Sequence, residues 1–310
     1  MAPSAISTEV LPSLKAKQPI PKSKDDPAKP QTALQAISQG VCLPGIPTFP
    51  SFEKHRAWLL AHMAGAFRVF ARKNFTEGMS GHISVRDPEF PHTFWTNPLG
   101  RHFGLLKASD MVLVDYDGKA VGGNQSRPAN AAGFLIHSAV HRARPDVHAA
   151  CHCHGIAGKA WSAFGKPLDM INQDVTYFYG DAQAVYRDFG GVVLSPTEGE
   201  KLAAALGPRG KGLILQNHGL LTVGGTVDEA AYLYTLMEKS CDVQLRVEAA
   251  AAAGMKKIIV DGEAAEYTFR MASDPEALYW EFQPDLEYEY EMAGSLFEDY
   301  TAPKNLLTEY

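Results

Sequence analysis

The 310-residue chain contains few cysteines and no long apolar run. Its four cysteines are too few for a disulfide scaffold, and two of them, Cys151 and Cys153, are separated by a single residue. A low cysteine count favours a reduced intracellular setting, with the cytoplasm as the default. Its apolar stretches, such as those at 212–215 and 220–223, are only a few residues long and fall far short of the roughly 20 residues that a membrane-spanning helix needs. We therefore expect no membrane span.

The chain also lacks an excess of positive charge. Lysine and arginine number 29 against 35 aspartates and glutamates, which gives a formal net charge of −6 at pH 7. No dense basic stripe is present, and proteins that bind nucleic acid by electrostatic attraction usually carry one. The charge pattern therefore argues against nucleic acid as a partner.

Residues 1–50 differ in composition from the rest of the chain. They are rich in proline, serine and lysine and poor in aromatic residues, and such a segment buries too little surface to offset the entropy cost of ordering it. We predict a flexible N-terminal arm over 1–50, followed by one domain with a C-terminal tail over 51–310.

From residue 52 onward, helical and strand patterns alternate. Apolar residues at helical spacing predict helices at 52–71 and 130–143, and short apolar runs predict strands at 82–86, 93–96, 111–115, 147–154, 212–216 and 220–223. Capping boxes at Thr197 and Thr226 predict two further helices, whereas 256–267 has the charge pattern of a hairpin or loop. Because short reversals occur among the connections, we expect an α/β fold with a mixed sheet between helices.

Two histidines in the fourth of these strands are candidate metal ligands. His152 and His154 are two residues apart, so in a strand their side chains point to the same face. A single His-x-His pair is weak support for a metal site, because chance produces such pairs. His218 strengthens it, since it lies in a sharp break between two predicted strands. Three imidazoles from two strand edges are typical of an open metal site.

His137 and His141 form a rival pair, spaced four residues apart on a predicted helix. No acidic residue sits between them as in a zinc-protease helix motif. Helix packing or a solvent-facing position is the simpler interpretation of this second pair.

Five segments of the chain, in order, resemble the class II aldolase/adducin family. They lie at 78–86, 97–100, 137–147, 152–154 and 216–219, and the resemblance extends from about residue 52 to 254. It implies a three-layer α/β/α sandwich, a homo-oligomer, usually a tetramer, and a small-molecule substrate. It also implies a divalent metal, usually zinc, on His152, His154 and His218. Substrate contacts are implied for His82, Asn97 and Gly100.

The chain departs from this family where the general base is expected. The family glutamate falls on Gly133, and no glutamate occurs between Gly118 and Thr197. Two serines that help to hold phosphate are replaced by Ala131 and Ala132. Asp174 is a candidate substitute base, because it lies in the segment that closes the family's active site. Tyr177 and Tyr179 are candidate proton donors, and Tyr288 or Tyr290 of the C-terminal tail is a candidate cover.

Three functional hypotheses remain open from the sequence. The first is a metal-dependent lyase that cleaves or forms a carbon–carbon bond in a small hydroxy-carbonyl compound, with decarboxylation as a variant. The second is a non-catalytic, adducin-like interaction module, which the missing glutamate favours. The third is an iron protein that uses oxygen, since three histidines also hold iron.

Overall fold

The structure is a computed structural model that describes residues 32–38, 40–191 and 195–294. No helix within these ranges combines the length and the apolar character that crossing a membrane requires.

Eight helices and eight strands are assigned in the described residues. The helices are α1 (Ala33–Ile37), α2 (Phe52–Arg72), α3 (Ala131–Ala143), α4 (Ile156–Ser162), α5 (Pro196–Leu206), α6 (Val227–Ala252), α7 (Gly262–Ala272) and α8 (Pro275–Ala293). The strands are β1 (His82–Arg86), β2 (Thr93–Thr96), β3 (Val112–Asp115), β4 (Ala120–Gly123), β5 (Ala149–Cys153), β6 (Gln183–Tyr186), β7 (Gly212–Leu215) and β8 (Gly219–Gly224).

The strands form one mixed sheet in the order β4-β3-β2-β1-β5-β8-β7-β6. Every neighbouring pair is antiparallel except β6 and β7, which are parallel. The predicted α/β fold with a mixed central sheet is therefore confirmed. At the centre of the sheet, His82 on β1 is directly opposite His152 on β5.

Two apolar cores lie on opposite faces of the sheet. Residues of α2, α6 and α8 pack on one face, with Ile83 of β1 and Cys151 and Cys153 of β5. Residues of α3 and α5 pack on the other face, with Ala150 of β5. Because side chains alternate along a strand, the even-numbered residues of β1 and β5 face α3. His152 therefore lies on the α3 side, and the three-layer arrangement follows from the two cores.

Two predicted local features are wrong. Helix α5 begins after Ser195, with Pro196 in its first turn, and not at a capping box on Thr197. A proline suits the first helical position because its missing N–H has no partner there in any case. Residues 262–272 form α7 rather than a hairpin or loop, because Asp261 caps the helix by accepting from the Ala264 N–H, 3.0 Å away. The capping residue predicted for α6, Thr226, is confirmed.

Part of the predicted arm lies against the domain. Leu34 of α1 is buried, and α1 contacts both α7 and α8. The Trp280 indole N–H donates to the carbonyl of Pro44. Residues 1–31 lie outside the described ranges, so the division at residue 50 stays a prediction.

Candidate metal centre and its cavity

The three predicted histidines converge at the end of β5. His152 is within the strand and His154 directly follows it, while His218 lies in the turn between β7 and β8. Asn217 takes a positive φ of 58° in this turn, a conformation that asparagine adopts more readily than most residues. One ring nitrogen from each histidine lies within 4.8 Å of the other two. Within the described ranges this is the one group of three histidine, cysteine or acidic side chains so arranged.

Neighbouring oxygens orient two of these rings. His152 Nδ1 lies 2.7 Å from the carbonyl of Leu220, and because a carbonyl only accepts, Nδ1 carries the proton and Nε2 keeps its lone pair. His154 Nδ1 lies 3.3 Å from a carboxylate oxygen of Glu77. Partners of this kind on the distal nitrogen typically fix the orientation of metal-binding histidines. The donor set therefore fits a divalent ion.

The electrostatic environment keeps these rings neutral near pH 7. Burial lowers the pKa of His152 well below its usual range, and the neighbouring histidines lower it further. Burial also lowers the pKa of His154 and, together with His154, that of His218 to about 4. Neutral imidazole is the form that binds metal, so the nitrogens need no proton release at neutral pH.

The histidines line a cavity of about 470 Å³, a volume suited to a small molecule. Its wall contains several polar groups and one cation but no carboxylate among the described residues. The wall is formed by Ser80, Gly81, His82, Asn130, Ala132, Ile136, His152, His154, Lys159, Phe189, Gly191, Asn217 and His218.

Of the three predicted substrate contacts, the structure brings only His82 to this wall. Asn97 is buried beyond the end of β2, and Gly100 lies in the following turn with a φ of +74°. The Gly100 carbonyl accepts a hydrogen bond of 2.7 Å from Arg127. Neither Asn97 nor Gly100 lines the cavity, so their predicted role stays a prediction.

The predicted base and proton donors lie elsewhere in this chain. Asp174 is exposed at the start of a short 3₁₀ helix that packs against α7 and α6, on the opposite side of the sheet from α3. The Tyr177 hydroxyl donates to Glu281 over 3.4 Å. Neither they nor Tyr179 line the cavity, and a single chain therefore does not place them beside the triad.

The C-terminal aromatic residues within the described ranges pack away from the cavity. Tyr288 lies under the guanidinium of Arg72, and Tyr290 packs on the core of α2, α6 and α8. Neither tyrosine lines the cavity, so within one chain they do not cover it. The rest of the aromatic C-terminal segment, after residue 294, lies outside the described residues.

Sequence reasoning missed three residues of the site. Lys159 reaches the cavity from α4 and donates to Glu77 at 2.8 and 2.9 Å, so Glu77 links Lys159 to His154. Asn130 caps α3 by accepting from the backbone N–H groups of residues 132 and 133. A capping residue one position before a helix was the available signal for Asn130. Nothing local in the sequence marks Glu77 or Lys159.

Comparison with known proteins agrees with the fold. A family model, the Class II Aldolase and Adducin N-terminal domain, matches residues 61–245. The chain is 45% identical over 245 residues to the meiotically up-regulated gene 14 protein of Schizosaccharomyces pombe, covering 79% of this chain and 94% of that protein.

Two bacterial relatives and one solved structure are also similar. The 4-hydroxy-3-prenylphenylpyruvate oxygenase/4-hydroxy-3-prenylbenzoate synthase of Streptomyces roseochromogenus is 43% identical over 209 residues, 67% of this chain and 74% of that one. Decarboxylase NovR of Streptomyces niveus is 43% identical over 206 residues, 66% and 75% of the two chains. The structure of L-fuculose 1-phosphate aldolase from Glaciozyma antarctica PI12 matches with a TM-score of 0.74 and 41% identity, and the match covers 81% of this chain and 96% of that one.

The fold and the site together define a three-layer α/β protein with a three-histidine cavity at the end of its central antiparallel strands. The chain belongs to the class II aldolase and adducin family.

Proposed function

We propose that this protein is a divalent-metal enzyme that cleaves or forms a carbon–carbon bond in a small hydroxy-carbonyl compound. His152, His154 and His218 would hold the ion, and we propose zinc. The observation that carries the proposal is the convergence of three neutral imidazoles on one cavity wall. An ion held by three imidazoles acts as a Lewis acid on carbonyl and hydroxyl oxygens.

The other residues of the cavity restrict the class of substrate. Ala131 and Ala132 stand where serines would help to hold a phosphate, and Ala132 lines the cavity. Lys159 is the cation of the wall, but its charge is shared with Glu77. We therefore propose a substrate without a phosphate group, whose polar atoms meet the triad, Lys159 and His82. Cleavage of fuculose 1-phosphate at rates typical of good aldolases would contradict this.

A second candidate is decarboxylation of a 2-oxo acid, with or without oxygen. It is favoured by the absence of a carboxylate from the described cavity wall, since no acidic side chain is available there to remove a proton. Two relatives at 43% identity are named as a decarboxylase and as an oxygenase of a phenylpyruvate. In a simple decarboxylation the carbon–carbon bond electrons stay on the carbonyl fragment, carbon dioxide leaves and a proton takes its place.

The proposal also includes assembly and location. We propose a homotetramer, on the resemblance to aldolases of the family, and a cytoplasmic location, on the low cysteine count. Light scattering on the purified protein gives the mass directly, and a value near one chain would contradict the tetramer.

The test is elemental analysis of the wild type and of His154→Ala, with His92→Ala as the matched control. His92 is an exposed histidine outside the cavity, so this variant loses one imidazole without touching the triad. We expect near-stoichiometric zinc in the wild type and the control, and its loss in His154→Ala. The same three proteins are then screened for retro-aldol cleavage of hydroxyketones and for carbon dioxide release from 2-oxo acids, with and without oxygen.

The outcomes separate the hypotheses. Retro-aldol activity that needs metal supports the lyase, whereas carbon dioxide release favours the second candidate. Stoichiometric iron together with oxygen uptake would show that the metal is iron and not the proposed zinc. Metal that neither co-purifies nor binds on addition would overturn both enzyme proposals and leave a non-catalytic, adducin-like interaction module.

A further inference from the structure

Four buried polar side chains form a hydrogen-bonded chain from the cavity wall into the interface of β1 with α3. His82 Nδ1 lies 2.9 Å from His137 Nε2, and His137 Nδ1 lies 2.6 Å from Ser84 Oγ. Ser84 Oγ lies 2.7 Å from His141 Nε2. This series of hydrogen bonds ends at the carbonyl of Val147, 3.2 Å from His141 Nδ1. Only His82 reaches the cavity wall.

The carbonyl at the far end sets the direction of every hydrogen bond. Because the Val147 carbonyl only accepts, the proton of a neutral His141 is on Nδ1, and its Nε2 accepts from the Ser84 hydroxyl. The Ser84 oxygen then accepts from His137 Nδ1, which leaves His137 Nε2 as an acceptor. His82 Nδ1 therefore carries a proton and donates it to His137. His82 Nε2 is left with a lone pair.

Neutral rings are what this burial favours. Burial lowers the pKa of His82 and His137 well below the usual range, and burial with the charge of Arg86 lowers that of His141 to about 3. Within the described ranges, no carboxylate hydrogen-bonds to any of the three rings.

The glycine at position 133 makes room for this arrangement. A Cβ on Gly133 would lie 2.3 Å from His82 Cδ2 and 2.6 Å from its Nε2, far inside contact distance. The ring of His82 thus occupies the space that a side chain at 133 needs. Its Nε2 is on the other side of the ring from the Nδ1 bonded to His137 and has no hydrogen-bond partner among the described residues, and His82 is one of the residues that line the cavity.

We propose that Ser84, His137 and His141 are positioning residues that hold His82 in a single tautomer, so that its Nε2 accepts a hydrogen bond from a hydroxyl of the bound substrate. The inference rests on the proposed function for the ligand class, a hydroxy-carbonyl compound. It assigns the His82 position a specific requirement, which is a hydrogen-bond donor on the ligand. A ligand that presents only an acceptor there leaves two lone pairs facing each other and is disfavoured.

The tautomer is tested by long-range ¹H–¹⁵N NMR on the zinc-loaded protein labelled at histidine, with His82 assigned from the signals lost in His82→Gln. We expect the proton of His82 on Nδ1 alone in the wild type, and a mixture of tautomers in Ser84→Ala. Ser138→Ala is the matched control, because Ser138 is buried on α3 but bonds to the carbonyl of Leu135. A proton on His82 Nε2 in the wild type, or an unchanged His82 in Ser84→Ala, would overturn the proposal. If Ser84→Ala does not fold, His141→Phe removes a different hydrogen bond of the same series, and the same results are expected for it and would overturn the proposal.

The role of His82 Nε2 as a hydrogen-bond acceptor for the ligand is tested by calorimetry with 1,3-dihydroxyacetone as the probe. In Ser84→Ala we expect a Kd weakened by about 2- to 10-fold, the worth of one neutral hydrogen bond, with the Kd for zinc unchanged. Ser138→Ala should match the wild type in both. An unchanged probe Kd in Ser84→Ala, or no probe binding to the zinc-loaded wild type, would overturn the acceptor role. Failure of the proposed metal site is distinguishable, because the wild type would then bind no zinc whatever the tautomer of His82.

Discussion

Replacing Gly133, in the first turn of α3, by alanine is expected to destabilise the protein, although a change from glycine to alanine within a helix normally stabilises it. The ordinary gain in helix propensity is about 1 kcal/mol. Against it, the new Cβ would meet the His82 ring at 2.3 Å, and overpacking of this kind typically costs about 1–3 kcal/mol. Displacing the ring also lengthens the 2.9 Å contact with His137, a loss of about 1 kcal/mol.

The net expectation is a loss of about 1–3 kcal/mol in the free energy of unfolding. An unfolding entropy of about 2.1 cal/mol/K per residue converts this to a fall in Tm of about 2–5 °C for a chain of 310 residues. Differential scanning calorimetry measures it, with Ala131→Gly as the control at an exposed position in the first turn of the same helix. That control loses propensity only, at most about 1 kcal/mol. A Tm that rises in Gly133→Ala would refute the reasoning, because it would mean that the His82 ring can move aside without loss of stability.

Two further predictions concern single carboxylates. Asp87 is buried and accepts hydrogen bonds from Arg56 at 2.7 and 2.8 Å and from the Trp95 indole at 2.8 Å, so Asp87→Ala should cost about 3–5 kcal/mol in urea denaturation. Burial alone raises the pKa of Asp87, but Arg56 and Trp95 outweigh it and hold that pKa below its usual range. The contribution of Asp87 to the free energy of unfolding is therefore present above about pH 4 and is lost as the pH falls. The stability of Asp87→Ala should accordingly depend less on acid pH than that of the wild type. Glu77→Gln should reduce zinc affinity about 10-fold by loosening His154, measured by competition with a chelator, and an affinity equal to that of the wild type would contradict an orienting role for Glu77.

Elements with a clear local signal were predictable. The strands of residues 82–86 and 93–96 are buried on both faces and follow from short runs of strand-forming residues between turns. Helix α2 follows from apolar residues at helical spacing, because burial of one helix face imposes that spacing on the local sequence. Helix α7 was not predictable in this way, because its pattern is amphipathic but highly charged and its start depends on a single capping residue, Asp261.

The sequence by itself determined which residues supply the triad. His152 in β5 and His154 directly after it are two residues apart, which brings them to one side, and a turn with Asn217 at a positive φ presents His218. Their mutual distance still required tertiary structure, since β8 pairs with β5 across a long separation in the chain.

Only the tertiary structure decided what surrounds the triad. Local patterns assigned His137 and His141 to a helix and gave no partner for either, while packing of α3 on β1 links both to Ser84 and joins His137 to His82. The same packing explains why position 133 holds glycine, and it leaves Asp174 on the far face of the sheet. Contacts between residues about 50 positions apart depend on which faces of a sheet and a helix meet, and no local periodicity carries that information.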